Sequence, residues 1–237
     1  MSSLRKTSLI FGLFFAGTFI FSIPALWFYD QVLHDASYVL SGGIDARVST
    51  GALFEILLAI CNIATAIVIY PITRRVKEAV ALGYVASRIV ESLIIIVGVI
   101  SLMSVVTMRS SFASPGNPDH LVMAGQLLVT FHNWTFLLGP QFCAGFGNGL
   151  LLGYLMYRSG LVPRSMALIG LIGGPIAFLG GVLVLFGVFD QVSVVLFALT
   201  FLEIVWELSI TIYTIARGFR PSPLLGADNE ASASGME

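Results

Sequence analysis

Long apolar runs separated by short polar intervals set the pattern of this chain. The first run, TSLIFGLFFAGTFIFSIPALWFY at residues 7 to 29, follows the basic pair Arg5-Lys6. A polar interval with three Asp fills residues 30 to 50 and reads as a loop with room for one short surface helix. The second run, residues 51 to 72, closes on Pro71 and the basic cluster Arg74, Arg75 and Lys77. A third occupies about 80 to 108, and RSSFASPGNPDH at 109 to 120 ends it with Pro115, Gly116 and Pro118. Each run is at or near the roughly 20 residues that cross a bilayer core.

The stretch from Leu121 to Tyr157 is too long for one straight crossing, since its 37 residues would reach about 55 Å as a helix. Gly139-Pro140 divides it, which predicts an outer segment around 121 to 131 and a kinked span from about 133 to 157, the alternative being a re-entrant or partly embedded first half. The basic loop RSGLVPR, residues 158 to 164, leads to spans at about 165 to 188 and 192 to 216. The small, polar stretch 221 to 237 reads as a disordered cytoplasmic tail. The first run is longer than a signal-peptide core and lacks a small-x-small cleavage site, so it reads as a retained helix. Basic residues orient the spans. With an inside N-terminus, Arg5, Lys6, Arg74, Arg75, Lys77, Arg158, Arg164, Arg217 and Arg220 lie inside, and only Arg47 and Arg109 lie outside. The expected fold is therefore all-α: a polytopic transmembrane helical bundle of six spans, residues 1–220 in one domain, both termini cytoplasmic.

Composition agrees, with 57% hydrophobic and 11% charged residues. A net charge of -1 gives no electrostatic case for binding nucleic acid. Cys61 and Cys143 lie in apolar segments and read as packing residues, and His34, His120 and His132 lack the spacing of a helical metal site. No metal or cofactor is expected. The partners are the bilayer and a small-molecule or ion ligand.

Five charged residues interrupt the apolar runs: Glu55, Arg88, Glu91, Glu203 and Glu207. On insertion scales each costs about 2.5–3.5 kcal/mol at the bilayer centre, so such groups carry function by default. Arg88 and Glu91 are i, i+3 and Glu203 and Glu207 are i, i+4, so each pair shares a helical face. At about 1.5 Å per residue, Arg88 and Glu207 lie roughly 12–13 Å from the cytoplasmic ends. Asn62, Glu91 and Asn148 lie roughly 15–17 Å in, and Glu203 roughly 20 Å. These six residues define an expected mid-membrane polar layer, with Arg88 pairing Glu207, Glu91 or both. Three acids against one base make Glu91 and Glu203 the candidates for a proton or a cationic substrate. Glu55 falls nearer the outer surface. Trp206, beside Glu207, reads as a shield against lipid, and His132 reads as an interfacial side chain.

Gly145, Gly149 and Gly153, and likewise Gly170 and Gly174, form small-xxx-small faces for close helix packing. Asn148 and Gln141 share a face and are placed to hydrogen-bond across helices. There is no Walker-type loop, H-E-x-x-H or GxSxG, so enzymatic activity is not the leading expectation.

Four segments carry a family resemblance: SRIVES (87 to 92), HNWTFLLGP (132 to 140), YRSGLVPRSMALIGLIGGP (157 to 175) and WELSITIYTIARGF (206 to 219). Together they resemble a family of bacterial integral membrane proteins known as domain of unknown function 4386. The similarity runs from the first helix to Phe219, and the YRSGLVPR loop with its Gly-Pro helix is the most specific piece. The resemblance implies a six- or seven-span protein of the bacterial inner membrane. It implies no activity, and it puts Arg88, Glu91 and Glu207 inside family-like segments. Three functions stand: binding or transport of a small molecule or ion at the polar layer; a structural or regulatory membrane subunit; and an intramembrane enzyme acting on lipid, with His132 or a Glu as its acid-base group.

Overall fold

The computed structural model describes residues 3–41, 45–111 and 118–222, and among them every regular element is helical. In order they are α1 (Ser3–His34), a 3-10 turn (Tyr38–Leu40), α2 (Ala46–Ser111) and α3 (Pro118–Phe136). Two π-helical segments (Leu137–Gln141 and Ala144–Leu152) then lead into α4 (Gly153–Ser159), followed by α5 (Arg164–Leu185) and α6 (Val194–Ala216). Five stretches are long and apolar enough to cross a membrane: α1, α2, the run Pro118–Ser159, α5 and α6. Large apolar side chains such as Leu13, Ile60, Leu93 and Ile212 stay exposed along these helices, as lipid-facing residues do. The chain thus has the build of a multi-pass membrane protein.

Several boundaries differ from the sequence reading. The first helix continues to His34, and the interval 30 to 50 holds the end of α1, the 3-10 turn and the start of α2. α2 is one 66-residue run, interrupted at Lys77 by extended backbone (φ -162°, ψ 103°). Gly139-Pro140 does not break the helix. Proline lacks the amide that an α-turn needs, and the chain absorbs the loss by widening to π-helix through Leu137–Gln141. The run Pro118–Ser159 is therefore continuous. Ser222, placed in the tail by its sequence, is buried and donates from Oγ to the Ser159 carbonyl (2.6 Å). The remainder of the expected disordered tail, 223 to 237, lies outside the described residues.

By internal packing the chain forms two units. One comprises residues 1–16, 63–89 and 141–237; the other comprises 17–62 and 90–140. In the first, helix ends are closed by short-range devices. Ser193 caps α6 by accepting from the Leu196 amide (3.2 Å). Gly160 ends α4 at φ 67°, a left-handed conformation that glycine adopts freely. The exposed carbonyls at the end of α6 are met from far away in sequence. Arg5 donates to those of Thr214 (3.0 Å), Ile215 (2.7 Å) and Ala216 (3.3 Å), and Ser8 Oγ donates to Thr214 (3.0 Å). This satisfies orphan acceptors and sets a cation at the negative end of the helix dipole.

The second unit has a core of Tyr29, Val32, Tyr38, Val39, Leu102 and Val105 among others. Asp45 ties its outer turns together. Oδ2 accepts from the Tyr38 hydroxyl (2.8 Å) and Arg109 (3.1 Å), and Oδ1 accepts from the amides of Arg47 (2.8 Å) and Val48 (3.4 Å). The Arg109 guanidinium also stacks 4.5 Å over the Tyr38 ring. Burial and the Asp45 carboxylate push the Tyr38 phenol up to about 12. For Asp45 burial acts upward, but the donors on both oxygens outweigh it and hold the carboxyl below its ordinary value.

Candidate functional site

Glycines bring the backbones of the first unit together. A side chain at Gly145 would lie 2.7 Å from the Gly174 carbonyl, and one at Gly170 would lie 2.7 Å from the Trp206 ring. The small-residue faces therefore abut, which is the packing role their spacing predicts. This closeness delivers side chains from the second π segment, α5 and α6 to one place.

Asn148 Nδ2 donates to Glu207 Oε1 at 2.5 Å, and Trp206 Nε1 donates to the Asn148 backbone carbonyl at 2.9 Å. Trp206 is fully buried, so it is an internal strut, not the expected lipid shield. Arg88 is buried beside Phe15, its guanidinium carbon 5.8 Å from the ring centroid, and within electrostatic reach of Glu207. Gln141 Nε2 bridges to the Ala177 carbonyl (2.9 Å) and Thr200 Oγ1 (3.0 Å).

Glu203 stands apart from these contacts. It is 1% exposed, and neither carboxylate oxygen has a hydrogen-bond partner among the described residues. Asn148 Oδ1 is likewise buried without one. A Cβ at Gly149 would lie 2.5 Å from Glu203 Oε2, so only glycine leaves room for the carboxylate there. Glu203, Glu207 and Arg88 by themselves carry a formal balance of one negative charge. Such a balance in low dielectric is costly unless a proton or cation closes it.

In the second unit Asn62 Nδ2 donates to Glu91 Oε1 (3.2 Å), both buried, and Ser92 Oγ donates to the Ala59 carbonyl (3.1 Å). Sequence reasoning passed over a second cluster here. Glu55 and His132 are buried side by side within the unit, 9% and 4% exposed. Tyr29 reaches the same carboxylate. The signal available in the sequence was three polar groups interrupting three separate apolar runs. No group of three or more metal-ligating side chains is found among the described residues. Cys61 is buried against Gly17, where a Cβ would lie 2.7 Å from its Sγ, as its packing role requires.

Comparison with curated proteins and with solved structures finds no match. Residues 10–218, which take in the membrane-length helices and all six candidate residues from Asn62 to Glu207, match the family model described as Domain of unknown function (DUF4386), and the chain belongs to that family.

Proposed function

We propose that the protein binds, and carries across the bacterial inner membrane, a proton or small cation at a carboxylate site centred on Glu203. Six crossings with both termini cytoplasmic would follow if the interruption at Lys77 divides α2 into two spans, 46 to 76 and 78 to 111. The basic cluster Arg74, Arg75 and Lys77 at that interruption supports a cytoplasmic turn.

One observation carries the ion-binding reading: a fully buried carboxylate with no hydrogen-bond donor on either oxygen. Its neighbour Glu207 is already served by Asn148, and Arg88 acts on Glu207, so Glu203 is the group left to exchange a charge. Asn148 Oδ1 supplies a further oxygen acceptor in the same unit. Asn62 and Glu91 are the pathway candidates of the other unit.

The experiment is a thermal-shift series on detergent-purified protein with Na⁺, K⁺ and pH as variables, in wild type and Glu203→Gln. A cation at 100 times its Kd stabilises by about 2.7 kcal/mol. Stabilisation lost in Glu203→Gln supports the site. A Glu203→Gln protein as responsive as wild type refutes it. The structural-subunit reading draws on a different observation: Asn62–Glu91 and Asn148–Glu207 are satisfied cross-helix bonds that would serve to fix register with no ligand. It gains if no ion shifts either protein and the variant melts lower.

A further inference from the structure

We propose that Glu55 and His132 form a second, separate proton-binding site, in which Tyr29 positions the carboxylate. The three side chains come from α1, the first half of α2 and α3; Tyr29 is fully buried, and the side chains of His132 and Glu55 are 5% and 12% exposed. The Tyr29 hydroxyl donates to Glu55 Oε2 at 2.9 Å, which fixes the carboxylate and leaves Oε1 free. That oxygen faces His132 Nε2 at 3.9 Å. The Tyr29 and His132 rings meet edge to face, with centroids 5.6 Å apart and planes at 81°. Gly98, on the second half of α2, makes room for the imidazole: a Cβ there would lie 3.2 Å from His132 Cδ2 and 2.5 Å from Thr135 Oγ1.

His132 Nδ1 is buried and has no hydrogen-bond partner among the described residues. At 3.9 Å the approach of Nε2 to Oε1 is an electrostatic contact longer than a hydrogen bond; with the proton on Nε2, facing Glu55, Nδ1 carries the lone pair, and the imidazole is a base beside a carboxylate that a phenol orients. The charge count gives this base its function. Ionised Glu55 beside a neutral imidazole leaves one negative charge inside the unit, and the groups seen against the pair include the Tyr29 hydroxyl, Gly98 and Thr135, none of them a cation. A proton delivered by hydronium forms an N–H bond at the Nδ1 lone pair as the O–H bond breaks and water leaves, which turns the pair into imidazolium and carboxylate with no net charge. Raising the pH returns the proton to water. The proposal does not depend on Glu203, since the residues, the unit and the base are all different.

The test uses the full chain in detergent with His34→Gln and His120→Gln, which leaves His132 as the one imidazole. Histidine ring ¹⁵N NMR spectra are followed between about pH 5 and 9, the range in which imidazoles titrate. The expected result is a neutral Nε2–H form at high pH that converts to imidazolium on acidification. Its midpoint should move to lower pH by about one unit or more in Glu55→Gln, a tenfold loss of proton affinity. An imidazole that stays neutral through the range, or one with the same midpoint in both proteins, overturns the site. If Glu55→Gln fails to fold, the parent decides alone: a neutral form protonated at Nδ1 would put the lone pair against the carboxylate and overturn the proposal.

Discussion

Replacing Gly149 with Ala tests the packing that holds Glu203. An added Cβ would lie 2.5 Å from Glu203 Oε2 and 2.9 Å from the Gly174 amide nitrogen, where real Cβ contacts stay beyond 3.0 Å. The carboxylate ends a flexible side chain and can turn aside, but the Gly174 Cα, closer still to the added Cβ, is backbone of α5 and cannot, so the clash falls on the helix packing. Overpacking of this kind costs up to about 3 kcal/mol, and the better helix propensity of Ala returns about 1. The net expectation is about 2 kcal/mol of destabilisation. Gly83→Ala is the internal control, because its Cβ would meet only Leu151 Cδ1 at 3.4 Å, an ordinary contact. It should melt with or slightly above wild type. The assay is thermal unfolding of the three proteins in one detergent. If Gly149→Ala melts as high as Gly83→Ala, the two backbones are not in the contact described and the confinement of Glu203 falls with it.

Other expectations rest on separate contacts. Because the folded state favours ionised Asp45, its contribution is complete above the ordinary carboxyl value of about 3.9 and fades as pH falls through the lower folded value. Asp45→Asn should therefore lose about 1.5–3 kcal/mol near neutrality and show a flatter acid limb, read from melting temperature against pH. Trp206→Phe removes the indole donor to Asn148 and should cost about 1 kcal/mol or more in chemical unfolding, the excess reflecting the smaller ring. Arg5→Gln should speed amide hydrogen exchange over the last turn of α6 more than over α5, since the α6 carbonyls lose a donor.

What the sequence disclosed follows from what lipid demands. Runs of bilayer length announce helices because an apolar segment has no other way to satisfy its backbone. For the same reason Gly139-Pro140, a stop signal in water, proved no stop: in an apolar run the helix widens to π and continues. The i, i+4 spacing put Glu203 and Glu207 on one helical face, where the first is buried and the second half-buried, but spacing within one helix says nothing of partners on another. That Asn148 would satisfy Glu207 and leave Glu203 bare depends on how close Gly149 and Gly174 let two backbones come. Tyr29 and Glu55 are 26 residues apart and His132 is farther still, on a third helix, so no local pattern could have joined them.

The clamp of Arg5 and Ser8 on the final carbonyls of α6 has a consequence for how the molecule is made. Its donors leave the ribosome some 206 to 211 residues before its acceptors. Phe11 likewise waits for Phe219, whose ring centroid settles 5.7 Å from its own. α1 therefore waits without these contacts until α6 has been made, and the unit it belongs to cannot close before then. Chains truncated before Thr214 should be retained as loosely packed, protease-sensitive intermediates even though most of their helices are already present.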